Sequence, residues 1–304
     1  MFTSFTDVER HILSLKDRKK IALAGSQDPD ALGAAVNARK RGVADLVLIG
    51  DVGKTKALLE SMGENPDQYT LIAEDKDAAA AKAACRMAKN GEADIPMKGL
   101  MHTSTFMRAI LDKELGFVPE KGLLSQATVL EVAQTGRMMV ISDCAVNIAP
   151  GYEDKVKIVV NAVALARQLG VDRPLTAILA PVETVNPAMP ATIEAAMLSK
   201  AAERGQIRNC IIDGPLALDN AVSPEAAAHK GIGGPVAGKA DVLIMPDLNS
   251  GNIFTKTLVY FGNHPSAGCL CGTTSAVIMT SRSDTEQNKY HAILIAILQS
   301  HAHE

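Results

Sequence analysis

Residues 20–63 read KIALAGSQDPDALGAAVNARKRGVADLVLIGDVGKTKALLESMG, and their pattern decides the fold class. Two short unbroken apolar runs, KIALAG (20–25) and ADLVLIG (44–50), are each followed by an amphipathic stretch, DPDALGAAVNARKRG (28–42) and KTKALLESMG (54–63). A strand buried on both faces of a parallel sheet reads as a continuous apolar run, and the crossover after it reads as a helix. The order is therefore βαβα, which predicts an α/β protein with parallel or mixed sheets flanked by helices.

The same alternation continues along the chain. Further strands are expected at TLIAE (70–74), MMVISD (138–143), LTAILA (175–180), CIIDGP (210–215) and DVLIMPD (241–247). Helices are expected over 77–91, 102–116, 154–170 and 191–205, with a final one at about 285–299. Four of these helical stretches end in Gly, the usual residue just past a helix C-terminus. One seam falls at Phe117–Gly122, where FVPEKG precedes the strand-like LLSQATVLEV, and a second break spans Gly262–Thr274. A chain of 304 residues is long enough for about two domains.

Composition narrows the function. The net charge of −3 offers no basic stripe for nucleic acid or an anionic membrane surface. No apolar run reaches the ~18–20 residues of a membrane span, and the opening MFTSFTDVERHILSLKDRKK is too charged for a signal peptide, so a cytoplasmic protein is expected. Five cysteines at 85, 144, 210, 269 and 271 lie in apolar surroundings and read as buried reduced thiols. Cys269-x-Cys271 without nearby partners is a poor zinc signal, and His229, His301 and His303 read as solvent-facing. A polyanionic substrate would then need a local focus of Arg and Lys.

Two nucleotide motifs are excluded on inspection. GGPVAGKA from Gly233 has P-loop spacing, but Ala240 stands where a Ser or Thr would hold magnesium, and the run leads into a strand instead of a helix. The turn after the first strand reads AGSQDPDALG, which is not the G-x-G-x-x-G dinucleotide fingerprint.

Other strings fit anion chemistry. In KGLMHTSTFMRAIL (98–111) the hydroxyls of Thr103, Ser104 and Thr105 stand at a helix start, where free N–H groups attract anions, and Arg108 lies one turn in. An ordinary helix start with a surface arginine uses the same residues. DLNSGNIFTKTLVYFG (247–262) places Asn249, Ser250 and Asn252 beyond an apolar strand, where α/β proteins bind ligands, although a capped turn reads alike. DGPLALDNAVS (213–223) repeats that arrangement with Asp213 and Asp219. VIMTSRSDTEQNK (277–289) sets Ser281 beside Arg282 and Asp284, a hydroxyl donor, a phosphate fork and a base; a capped helix start is the plainer alternative.

Taken together, MKGLMHTSTFMRAILDKELG, SDCAVNIAP, ETVNPAMPATIEAAMLSKAAERGQI, DGPLALDNAVSPEAAAHKGI, PVAGKADVLIMPDLNSGN, KTLVYF and TSRSDTEQNK resemble the phosphate acetyl/butyryltransferase family, in family order, from about residue 20 to 295. The likeness is greatest to its butyryltransferase branch. It implies a two-domain fold similar to the isocitrate and isopropylmalate dehydrogenases, with residues 1–120 plus a returning 272–304 in one domain, 121–271 in the other, and the active site in the cleft. The implied reaction converts butanoyl-CoA and phosphate to butanoyl phosphate and CoA, reversibly and by direct transfer in a ternary complex. No metal and no cofactor are implied, coenzyme A being substrate or product, and a homo-oligomer is suggested.

Carried over by position, Thr103, Ser104, Thr105 and Arg108 would bind phosphate, Ser281 would hydrogen-bond the acyl carbonyl, and Arg282 would face the phosphoryl or CoA anions. Acetyltransferase relatives offer an acid seven positions after the matching Ser. Here that position is Asn288, so Asp284 or Glu286 would take the role of base, Asp284 being favoured, unless no base is needed. Lys98 is a candidate for CoA phosphates. Competing readings are a phosphate acetyltransferase, a dehydrogenase on the same fold, and a non-catalytic acyl-CoA binder.

Overall fold

The computed structural model describes residues 1–132 and 136–302. The chain divides into two compact units, one formed by Phe5–Gly122 with the chain from Ala267 onward, the other by Met1–Ser4 with Leu123–Ser266.

The first unit opens on a helix not anticipated from sequence, α1 (Phe5–Ser14), which buries Phe5, Val8 and Ile12 on one side. There follow β1 (Lys19–Ala24), α2 (Pro29–Lys40), β2 (Ala44–Gly50), α3 (Val52–Ser61), β3 (Thr70–Ala73), α4 (Asp77–Asn90), β4 (Ile95–Lys98) and α5 (Thr103–Ile110). The strands form one parallel sheet in the order β3-β2-β1-β4, as the unbroken apolar runs require. Asp28 caps α2 by accepting the N–H groups of Asp30 and Ala31, with Pro29 at the first helical position.

Helix α5 is shorter than expected. It stops at Ile110 with Leu111 as its cap, and Asp112–Gly116 form turns. Arg108 consequently sits in the last turn of the helix.

The second unit contains β5 (Ser125–Val132), β6 (Arg137–Ser142), α6 (Tyr152–Gln168), β7 (Leu175–Leu179), α7 (Pro190–Glu203), β8 (Ile211–Leu216), α8 (Leu218–Val222), α9 (Pro224–His229), β9 (Val242–Ile244) and α10 (Leu248–Tyr260). Within it the strand order is β5-β6-β9-β7-β8, with β5 and β6 antiparallel and the remaining pairs parallel. Its core gathers Leu130, Met139, Ile141, Leu179, Leu216 and Leu243, with Phe254 and Leu258 of α10 packed against them. The GGPVAGKA run indeed feeds a strand: Gly238 takes φ +72°, and a side chain there would meet the Pro224 backbone, before the chain enters β9.

The chain leaves this unit through β10 (Ser266–Cys271). This strand, not anticipated from sequence, lies within the break read over 262–274; its small residues flanked by Gly, Pro and Thr carry little strand signal. The last helix, α11 (Glu286–Ala302), is buried from Lys289 to Gln299 and packs on α2 and α1 of the first unit. Its AILIAIL run is apolar all round because neighbours cover every face. His301 falls in its last turn and is half-buried instead of solvent-facing, and His303 lies outside the described residues. His229 is exposed at the end of α9, and all five cysteines are buried and form no disulfide among the described residues.

Candidate active site

The first unit brings several of the candidate residues to the carboxyl ends of its strands. Segment 276–280 lies beside the edge strand β4: Met97 bridges Ile278 in parallel, Lys98 N donates to Ile278 O at 2.9 Å, and Ile278 N donates to Pro96 O at 3.0 Å. The chain then turns through Ser281–Asp284 into α11. β4 itself runs through Gly99 and Leu100, whose N–H groups bond Ala24 O and Gly25 O at the end of β1, into the start of α5. Gly99 is required here, since a Cβ would lie 2.2 Å from Gly25 O.

Ser281 and Asp284 share one tight turn. Asp284 Oδ2 accepts the Ser281 N–H at 2.7 Å, and Asp284 N donates to Ser281 O at 3.3 Å. The Ser281 and Ser283 hydroxyl oxygens are 3.0 Å apart, while Ser281 and Arg282 are both exposed. The turn is held from below by Lys289, a buried residue of α11 whose ammonium donates to Ser281 O at 3.1 Å and to Asp284 O. Lys289 was not anticipated, because a lysine in the first turns of a helix ordinarily reads as solvated. An exposed hydroxyl and guanidinium on a turn pinned by a carboxylate and an ammonium can present donors to an oxyanion without reorganising.

The two acids are placed differently. Asp284 belongs to the Ser281 turn, whereas the Glu286 carboxylate lies over α2, where a Cβ on Gly33 would come within 2.9 Å of its Cδ and Oε2. Asn288 N bonds the Thr285 hydroxyl in the first turn of α11.

Thr103, Ser104 and Thr105 form the first turn of α5, and His102, the capping residue, supplies no side-chain acceptor to its N–H groups. Thr103, Ser104 and Arg108 are exposed. Spacings of four and three put Arg108 on the same helix face as Ser104 and Thr105. It makes no ion pair among the described residues.

The remaining candidates belong to the second unit and are engaged in local structure. Ser250 N donates to Asp247 Oδ1 at 2.8 Å and its hydroxyl to the same oxygen at 3.0 Å, so Asp247 and Ser250 form the cap of α10. Asn252 Nδ2 donates to Cys144 O at 3.0 Å; Asn249 is exposed. The SDCAVNIAP loop is organised by buried Asp143, which accepts the N–H groups of Gln126, Ala145, Val146 and Asn147. Asp219 pairs with Lys230 at 2.9 Å, and Asp213 accepts the Gly214 N–H. Among the described residues no group of three His, Cys, Asp or Glu is arranged to hold a metal ion, and no helix is long and apolar enough to cross a membrane.

Residues 72–297 match the family model described as phosphate acetyl/butaryl transferase. The chain belongs to this family. It is 40% identical over 298 residues to the phosphate butyryltransferase of Clostridium acetobutylicum, covering 98% of each chain. It is 38% identical to the phosphate acetyltransferase of Thermotoga maritima, covering 91% of this chain and 94% of the relative. A branched-chain phosphotransacylase from Enterococcus faecalis superposes with a TM-score of 0.82 at 31% identity, covering 93% and 99% of the two chains. The expected likeness to dehydrogenases holds at the level of fold: 4-hydroxythreonine-4-phosphate dehydrogenase from Klebsiella pneumoniae gives a TM-score of 0.56 at 13% identity. As a member of the phosphate acetyl/butaryl transferase family the chain is an enzyme, and its chemistry is phosphate acyl transfer.

Proposed function

We propose that the enzyme interconverts butanoyl-CoA and phosphate with butanoyl phosphate and CoA, as a cytoplasmic homo-oligomer that uses neither metal nor cofactor. The observation that carries the acyl choice is the likeness to the Clostridium acetobutylicum phosphate butyryltransferase along essentially the whole length of both chains. Acetyl transfer is the second reading, favoured by the nearly equal identity to the Thermotoga maritima phosphate acetyltransferase.

In the forward direction a phosphate oxygen attacks the thioester carbonyl, giving a tetrahedral oxyanion; collapse breaks the C–S bond and releases CoA thiolate, which takes a proton. Phosphate is a weak nucleophile, so holding both reactants in line and stabilising the oxyanion supply most of the acceleration. The Ser281 hydroxyl donates to the acyl oxygen. Arg282 faces the phosphoryl or CoA anions, and Thr103, Ser104, Thr105 and Arg108 receive phosphate. In reverse, Asp284 takes the thiol proton, a step that contributes roughly 10²- to 10⁴-fold in general base catalysis. The exposure of Ser281 and Arg282 on one turn with Asp284 supports these roles.

The test follows CoA release from acetyl-, propionyl-, butanoyl- and isobutanoyl-CoA with and without phosphate. Fastest phosphate-dependent release from butanoyl-CoA, unaffected by EDTA, is expected. Equal release without phosphate would mark a thioesterase, and a preference for acetyl-CoA would favour the second reading.

A further inference from the structure

We propose that Lys98, at the carboxyl end of β4, holds the transferring phosphate through its buried ammonium; the proposal rests on the phosphate acyltransferase reading. Lys98 is only 2% exposed, and among the described residues its ammonium forms no ion pair. Its hydrogen bond is to the carbonyl of its own neighbour, Gly99 O, at 3.3 Å, which is long for a charged donor with three protons to place. Burial pushes the Lys98 ammonium below the usual lysine range.

Asp28 and Asp284 attract Lys98, while Lys289 and Arg282 repel it. Both carboxylates already serve backbone donors, Asp28 the N–H groups of Asp30 and Ala31 and Asp284 that of Ser281. Lys289 is likewise committed to the Ser281 and Asp284 carbonyls. Lys98 is thus a buried cation with no carboxylate in ion-pair distance among the described residues. A buried cation without an ion pair is strongly unfavourable, and a small anion would offset it.

Thr280, one residue before Ser281, is also buried, at 3% exposed, and its hydroxyl has no hydrogen-bond partner among the described residues. The backbone bond from Lys98 to Ile278 fixes this segment beside β4.

Phosphate groups come from two sources in this reaction, inorganic phosphate and coenzyme A; the depth of Lys98 favours the small anion. Lys98→Met is expected to raise KM for inorganic phosphate at least about tenfold while KM for CoA, read in the acyl phosphate direction, stays within about twofold. Inorganic phosphate alone is also expected to raise Tm of the wild type and not of the variant. If Lys98→Met does not fold, Lys98→Arg is measured instead; its larger planar head should raise KM for phosphate at least about threefold, again without affecting CoA. Unchanged phosphate KM and protection, a rise confined to CoA, or a loss in kcat alone would each overturn the proposal. The Tm arm needs no turnover, so a wild type that is stabilised by phosphate yet releases no CoA would defeat the acyltransferase reading and spare Lys98.

Discussion

Asp284 Oδ2 accepts the backbone N–H of Ser281 at 2.7 Å, so acid and hydroxyl residue are fixed in one turn. Substituting Asp284 therefore does two things at once. Asp284→Asn keeps an acceptor oxygen for the turn and removes the base, whereas Asp284→Ala removes both. Asp284→Asn is expected to flatten the acidic limb of the pH profile for CoA acylation, and Asp284→Ala to lower kcat in both directions. Glu286→Gln should leave the profile intact, because that carboxylate lies over Gly33 of α2. A flattened limb in Glu286→Gln alone would transfer the role.

Ser281→Ala is expected to lower kcat by about 10²-fold or more with little change in substrate KM, the loss measured for single oxyanion donors. Initial-rate patterns should intersect, as a ternary complex demands. Parallel lines with a trappable acyl-serine would make Ser281 a nucleophile instead.

Arg108 and the Ser104 and Thr105 positions share a face of α5. Arg108→Gln is expected to raise KM for phosphate, or lower turnover, by at least about tenfold. Unchanged phosphate kinetics would leave Arg108 as a surface residue at the end of a short helix.

Burial pushes the thiols of Cys85 and Cys144 up to about 12, and the other three cysteines are buried as well. The thiolate is the reactive form, and a raised pKa keeps the group protonated at pH 8. Native protein should take up essentially no thiol reagent there, while protein in denaturant should titrate all five cysteines. Rapid labelling of the native state would contradict this packing.

Gly251 lets α10 approach the Asp143 loop so closely that a Cβ would lie 2.2 Å from Asp143 O. The obstructing atom is backbone, which cannot swing away. Gly251→Ala should destabilise the protein by about 1–3 kcal/mol in urea unfolding, the range for overpacked sites. An unchanged midpoint would show that the helix can shift freely.

Local pattern determined most of the framework. The apolar runs 20–25 and 44–50 became β1 and β2, the Gly-terminated stretch 77–91 became α4, and Ser281 and Asp284 share a turn before α11, because burial on both faces, helix stops and turn chemistry are written within a few residues. What the string could not decide depended on partners distant in sequence. The small residues of β10 carried too little strand signal, α5 ended at Ile110 although the pattern ran on to Gly116, and Ser250 was drawn into the cap of α10. Above all, the burial of Lys98 and Lys289 follows only once the segment around Ile278 pairs with β4 and α11 packs on α2. Whether a charge is buried is a property of what the rest of the chain places around it, and only the tertiary structure supplies that.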